Sequence, residues 1–227
     1  MNKTSTLKIH IISKSGDRDI PFQVKDLVIA AYTGRDQDAL QRHIEELAKL
    51  GVPAPRRTPT SYVLPPELLT NSEEIRVESN ETSGEVEAVL LFDEDETYIT
   101  VGSDHTDRPL ERVDVRRAKL ACPKVIAKSA WVLKEVEDHL DNLILSSWTS
   151  RKSKEPYQRG TLREVMRLRE LVEVLGVGGK GTVLFCGTIP TLAGHIVYSD
   201  EFLVNLSDPL EGREIGHGYR ILTRSRS

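Results

Sequence analysis

Residues 82–108 read TSGEVEAVLLFDEDETYITVGSDHTDR, and the way this stretch folds decides the architecture around it. Residues two apart in a strand share a face. Glu85 and Glu87 therefore point the same way, and Val89 and Leu91 continue their face with apolar side chains. The opposite face, Val86, Ala88, Leu90 and Phe92, is apolar throughout, so the run reads as a strand buried on both sides with two acids at its mouth. Asp93 to Glu96 forms a hairpin turn that returns the chain along Thr97 to Val101. Gly102 and Ser103 then end the second strand beside Glu85 and Glu87, where Asp104 can join them.

Burying an unpaired carboxylate is costly, and the remedies are an ion pair, protonation or a metal. Three oxygen donors with room for water suit a hard divalent cation, Mg²⁺ or Mn²⁺. Zinc fits less well, because the group offers no cysteine. The same spacing also describes the solvated end of an ordinary strand, with Asp104 capping a turn. On spacing alone both readings stand.

The residues that follow separate them. Gly102-Ser103-Asp104-His105-Thr106-Asp107-Arg108 resembles the Gly-Asn-Asp-x-Ser-Ala-Arg-Asp signature of the fumarylacetoacetate hydrolase superfamily, and Glu85-Val86-Glu87 resembles the Glu-x-Glu motif that precedes it. The resemblance implies that Glu85, Glu87 and Asp104 ligate a metal and that Arg108 faces the substrate. Gly34-Arg35-Asp36, followed by His43-Ile44-Glu45-Glu46-Leu47, resembles the family's Gly-Arg-Asn-Tyr-x-x-His-x-x-Glu, which implies a catalytic dyad of His43 and Glu46 and a substrate-binding Arg35. GTVLFCGTIP, residues 181–190, resembles Gly-Asp-Val-Ile-x-x-Gly-Thr-Pro, so Thr188 is expected at the substrate. Lys119 sits where the family places an active-site lysine. Ser103 replaces the family's asparagine and Pro109 its second aspartate. The gap from the glutamates to Asp104 is shortened, and extra residues separate Arg35 from His43.

The fold implied is α+β and strand-rich, a mixed β-sandwich roll with a few peripheral helices. Residues 1–227 are expected to form a single catalytic domain, with strands 1–31 and the tail 207–227 at its periphery. The activity implied is that of a metal-dependent hydrolase or lyase acting on a 2-oxo acid or an acylpyruvate-like 1,3-dicarbonyl, with carbon-carbon cleavage by water as the default. Decarboxylation, hydration or isomerisation on the same fold, or ligand binding without turnover, are the alternatives. The family commonly dimerises, which makes a homodimer the expected assembly.

Composition narrows the classes further. A chain of 227 residues suits one sizeable core. Its net charge of -4 argues against nucleic acid as the main partner, since phosphate binding needs a basic face. The two cysteines, Cys122 and Cys186, lie in apolar settings and read as buried thiols of a reducing compartment. No apolar run reaches the length of a membrane span or a signal segment, so a soluble, cytoplasmic protein is expected, and the resemblance implies a small anionic substrate.

Elsewhere the pattern predicts a half-buried strand over Leu7 to Ile11 and one or two strands over Ile20 to Ala31. A helix starts at Asp36, with Leu40, Ile44, Leu47 and Leu50 on one face and Gly51 and Pro53 beyond its end. His43 and Glu46 are neighbours on its surface. Prolines confine Thr60 to Leu64 to an edge strand or loop, and in the resembled family this region crosses the site, which brings Arg56, Arg57 and Tyr62 near it. Leu110 to Ala121 reads as an amphipathic helix, Glu135 to Asp141 as a solvated one on which Glu135 and His139 are four apart, and Arg163 to Leu175 as a third. Strands are predicted at Leu143 to Trp148, Tyr157 to Leu162, Thr182 to Cys186, Ile196 to Leu206 and Glu214 to Leu222. Gly176 to Gly181 is not a phosphate loop, because Gly181 stands where a hydroxyl residue is required.

Overall fold

The computed structural model describes residues 5–49, 54–55 and 57–223, and the side chains of His43 and of residues 46–49 lie outside that description. Two mixed sheets make up most of it. The larger runs, in spatial order, through Arg18–Val24, Ser5–Ile12, Ser129–Val132, Thr97–Asp104, Val86–Phe92, Thr182–Thr188, Asp26–Ala31 and Thr60–Leu64. Lys124–Ile126 adds to the far end of Thr97–Asp104, and Leu69–Thr70 pairs beyond it. The second sheet is ordered Gln158–Thr161, Ile144–Trp148, Glu201–Asp208, Arg213–Thr223 and Glu74–Val77. This is the expected strand-rich roll. No helix among the described residues is long and apolar enough to cross a membrane.

The hairpin of residues 86–104 lies at the centre of the larger sheet for the reason its sequence implies. Val86, Ala88, Leu90 and Phe92 enter a core shared with Val204, Leu206 and Ile215 of the second sheet. Val89 and Leu91, on the other face, enter a second core with Ile9, Ile11 and Phe22. Every residue from Val86 to Phe92 is buried. Burying an aliphatic side chain contributes roughly 1.5–3 kcal/mol, so the one charged residue in the run, Glu87, marks where the core gives way to a polar site. The turn closes through Asp93 N–H donating to Glu96 O at 2.9 Å, and the register sets Glu87 opposite Gly102. A Cβ at Gly102 would stand 2.7 Å from Val125 O and 2.8 Å from the Phe185 ring, so only glycine lets the strands approach here.

Several expectations need correction. The N-terminal strands and the C-terminal tail are not peripheral. Ile9, Ile11, Leu27 and Ile29 are fully buried in the larger sheet, and Arg213–Thr223 pairs on both sides with Tyr219 in the core. Burial on two faces needs sheet on sheet, and these segments supply it. The stretch after Arg108 forms two short helices, α2 (Arg108–Glu111) and α3 (Val115–Leu120), because Asp107 and Asp114 each cap a new start. Pro109 fits as an early residue of α2, where its missing N–H costs nothing. Glu135 to Asp141 folds as two 3-10 turns. Glu135 accepts from Ser13 and Lys14, while His139 contacts Asp208, so the two do not share a ligand position.

The helix expected from Arg163 begins at Leu168, because Arg167 keeps an extended backbone and Val165 bridges to Gly34. The strand expected from Ile196 begins at Glu201. The first helix, α1 (Gln37–Lys49), is capped by Asp36, whose Oδ1 accepts from Ala39 N–H at 2.9 Å. Its expected stop at Gly51 and Pro53 lies outside the described residues, as does Arg56. Thr60–Leu64 is an edge strand, as its prolines require. Cys122 and Cys186 are free and buried, and burial pushes the Cys122 thiol up to about 12.

Candidate metal centre

Glu85, Glu87 and Asp104 converge. Each offers a carboxylate oxygen that lies within 4.8 Å of the others, and no second such group of His, Cys, Asp or Glu occurs among the described residues. The hairpin brings them together: Glu85 O accepts from Asp104 N–H at 3.0 Å, which places the two residues across from one another at its open end. Glu87 and Asp104 are buried and Glu85 is partly exposed. Oxygen ligands stand about 2.0–2.6 Å from Mg²⁺ or Ca²⁺-like ions, so donors up to about 4–5 Å apart can share one such ion. Asp104 Oδ1 is buried, and Lys124 Nζ stands 2.9 Å away. Three carboxylates whose oxygens converge this closely are the donor set of a hard cation, and the residues present fit one.

Cations surround the acids. Lys119, on α3, binds Asp104 Oδ2, and Lys124 faces Asp104 Oδ1 while donating to His105 O. Arg108, at the start of α2, lies 3.2 Å from Glu85 Oε1 and 2.7 Å from Glu111 Oε2, and its Nε donates to Ser83 Oγ at 2.7 Å. Burial alone would raise the Asp104 carboxyl, but the two ammonium groups outweigh it and hold Asp104 well below the usual carboxylate range. Glu87 goes the other way. Burial, reinforced by the charge of Asp104, raises its carboxyl well above the ordinary value despite Lys119. Burial lowers Lys119, but the three carboxylates around it prevail and raise it. For Lys124 burial prevails, and its ammonium is lowered despite Asp104.

A backbone amide and two buried polar groups hold the frame. Gly187 N–H donates to Glu87 Oε2 at 2.7 Å, from a residue with φ of 99° whose added Cβ would collide with Thr33 Oγ1. Gln158 is saturated: Oε1 accepts from Val86 N–H at 3.0 Å and Ser147 Oγ at 2.9 Å, and Nε2 donates to Thr188 Oγ1 at 2.9 Å and Ile189 O at 2.6 Å. His105 is enclosed between Tyr219 OH and Thr82 Oγ1, each at 2.9 Å, and burial pushes it down to about 3. Ser103 Oγ hydrogen-bonds Tyr219 OH at 2.8 Å.

Of the residues read from the sequence, Glu85, Glu87, Asp104, Lys119 and Arg108 meet at this centre. Thr188 lies beside it, opposite Glu87 in the strand register, with its hydroxyl donating to Val86 O at 3.0 Å. Arg35 does not join them. Its guanidinium forms a two-pronged pair with Asp141, at 2.8 Å for each contact, and donates to Val165 O and Leu162 O. It lines a separate cleft with Gln37, Thr58, Pro59, Met166 and Glu170. The backbone of α1 carries His43 and Glu46, but their side chains lie outside the described residues. Tyr62 is half-buried and feels the charge of Lys119, whereas Arg57 is exposed.

Lys124 and Gln158 are the residues that sequence reasoning missed. Lys124 had a signal. In a strand it shares a face with Ile126, so the face it occupies is apolar.

Residues 30–219 match the family model described as "Protein of unknown function (DUF2848)". No curated protein matches the chain by sequence. Among solved structures, fumarylpyruvate hydrolase from Pseudomonas aeruginosa, in complex with Mn²⁺ and pyruvate, superposes with a TM-score of 0.62 at 14% identity over 96% of this chain and 97% of that one. The 5-carboxymethyl-2-hydroxymuconate delta-isomerase from Mycobacterium smegmatis gives 0.64 at 15% identity over 92% and 86%. A yeast fumarylacetoacetate hydrolase family protein gives 0.60 at 12% identity over 90% and 95%.

Proposed function

The chain belongs to the family described as Protein of unknown function (DUF2848), on a fold shared with fumarylacetoacetate hydrolase family proteins, and we propose that it is a metal-dependent enzyme acting on a small 2-oxo acid or 1,3-dicarbonyl compound. The observation that carries this reading is the convergence of Glu85, Glu87 and Asp104 within 4.8 Å, flanked by Lys119 and Arg108. Glu85, Glu87 and Asp104 would hold Mg²⁺ or Mn²⁺, which would supply Lewis acidity to the substrate. The Mn²⁺ and pyruvate of the solved hydrolase suit the same ligand chemistry.

The chain's own residues divide the remaining work. Lys119 and Arg108 offset negative charge on the substrate's carboxylate and on the oxygen where charge develops. Thr188 offers a hydroxyl beside Glu87. His43, oriented by Glu46 three residues on, accepts a proton from water or substrate, a role worth roughly 10² to 10⁴ in rate. Arg35 has no part in this reading, because Asp141 and two backbone carbonyls occupy its guanidinium. Hydrolytic carbon-carbon cleavage is the default reaction, carried out by residues 1–227 as one catalytic domain of a cytoplasmic homodimer without a nucleic-acid or membrane partner.

One observation favours a second reading, ligand binding without turnover. Arg108 is already engaged by Ser83, Glu85 and Glu111, which leaves it fewer donors for a substrate. Calorimetry with Mn²⁺ and loss of enol absorbance from a panel of acylpyruvates separate the cases. Saturable Mn²⁺ binding, lost in Glu87→Gln, together with Mn²⁺-dependent turnover is expected. Binding of Mn²⁺ and acylpyruvates without turnover would favour the second reading, and absence of Mn²⁺ binding would overturn both.

A further inference from the structure

Lys124 is the buried group to which the proposed reaction gives no task. It is fully buried, on a strand whose register sets it directly opposite Asp104. Its Nζ stands 2.9 Å from Asp104 Oδ1 and donates to the His105 carbonyl. An ammonium is among the most costly groups to bury, and Lys119 already neutralises Asp104 from its other oxygen. One carboxylate therefore faces two cations.

We propose that Lys124 sets the charge of the metal centre so that a divalent cation is held firmly only together with an anionic ligand, making metal and carboxylate substrate bind cooperatively. This rests on the metal reading above. With Glu87 deprotonated, as a metal ligand must be, and the other groups ionised, Glu85, Glu87, Asp104 and Glu111 carry four negative charges against three positive charges on Lys119, Lys124 and Arg108. A divalent cation turns the resulting excess of one negative charge into one positive charge, and a monoanionic 2-oxo acid restores neutrality. Without Lys124 the cation alone would balance the site, and the anion would overshoot. Unbalanced charge is heavily penalised where water is excluded. Coupling between two ligands is reciprocal, so metal favours the anion as much as the anion favours metal.

The test is calorimetric titration of the full chain with Mn²⁺ alone, with saturating pyruvate, and with uncharged pyruvamide as the control for simple chelation. Wild type, Lys124→Gln and Lys124→Met are compared. The glutamine keeps a donor for the His105 carbonyl, and the methionine keeps the length of the stem. Expected are Mn²⁺ binding at least tenfold tighter in either folded variant than in wild type, and at least a tenfold loss of the extra affinity that pyruvate confers over pyruvamide. Equal Mn²⁺ affinity and equal pyruvate coupling in wild type and variants would overturn the role of Lys124 while leaving the metal centre standing. Wild-type Mn²⁺ affinity that pyruvate raises no more than pyruvamide does would overturn it without recourse to a variant. Failure of all three proteins to bind Mn²⁺ under any of these conditions would overturn the metal reading and this inference with it.

Discussion

Gln158→Leu is expected to loosen the metal centre from behind without touching an acid. The leucine fills similar volume but offers no hydrogen bonds, so four contacts disappear. Thr188 Oγ1 keeps the Val86 carbonyl at 3.0 Å, and the Ile189 carbonyl keeps a long contact of 3.4 Å from that hydroxyl. The Val86 amide and the Ser147 hydroxyl lose the partner that Gln158 gives them. A buried donor left unpaired costs about 1–3 kcal/mol, so two cost about 2–6, and four net hydrogen bonds at about 1 kcal/mol each give a similar figure. A loss of about 4 kcal/mol is a large share of a typical total of 5–15 kcal/mol. Val86 lies between Glu85 and Glu87, so slack at its amide spreads the two carboxylates, and Mn²⁺ affinity should fall at least tenfold. Urea unfolding reports the stability change at constant m-value, and calorimetry reports the metal. Leu206→Ala, a core truncation of about 2–5 kcal/mol at a fully buried residue of the second sheet, should leave Mn²⁺ affinity unchanged. The reasoning fails if Gln158→Leu costs less than about 1 kcal/mol, or if it binds Mn²⁺ as wild type does.

Asp104→Asn should abolish Mn²⁺ binding and lower stability by about 3–5 kcal/mol, the usual cost of breaking a buried ion pair, because it leaves Lys119 and Lys124 facing an amide; thermal unfolding with and without Mn²⁺ tests both, and retention of either property counts against the site. His105, pushed down to about 3, stays neutral in the folded protein while the unfolded chain takes up a proton near pH 6.5. Its contribution to stability is therefore complete above pH 6.5 and is lost as pH falls toward 3, at up to about 1.4 kcal/mol per pH unit. Denaturant titrations at pH 7, 6 and 5 should show that slope in wild type and a shallower one in His105→Gln. Equal slopes would remove His105 from the account.

Which parts of the fold could be read in advance depended on whether one segment held its own cause. The hairpin of residues 86–104 could be read because its two-residue alternation, its turn and its glycine are all local, and Val86 and Val89 meet different cores as that period requires. The helix expected from Arg163 to Leu175 is a contrary case. Its apolar spacing fits a helix throughout, but Thr161 and Glu164 close a capping box on a 3-10 turn, and Arg35 N–H and the Arg35 guanidinium draw the Glu164 and Val165 carbonyls away. Those partners lie some 130 positions upstream. The peripheral placement expected of residues 1–31 and 207–227 fails for the described part of each, 5–31 and 207–223, for a related reason. Ser129–Val132 pairs in parallel with Ser5–Ile12 and Glu74–Val77 pairs in parallel with Arg213–Thr223, and such long crossovers leave no local mark.

The acids of the candidate site stood out because a carboxylate in an apolar strand breaks a local rule, and the cations that complete the site did not. Arg108 and Lys119 were found through the family resemblance and through the need for cations opposite three acids that bind an anionic substrate. A lysine in a short strand is ordinarily solvent-facing, and Lys124 is fully buried. The periodic reading used for Glu87 applies equally to Lys124, since Ile126 shares its face and is fully buried. Applied to residues 121–127, it places a cation in the same interior that receives Asp104, only twenty positions after it in the chain. A buried charge of one sign implies a buried charge of the other close by. An isolated carboxylate in an apolar run is therefore grounds for searching the neighbouring runs for a basic residue on an equally apolar face, before a metal is assigned the whole of the balancing charge.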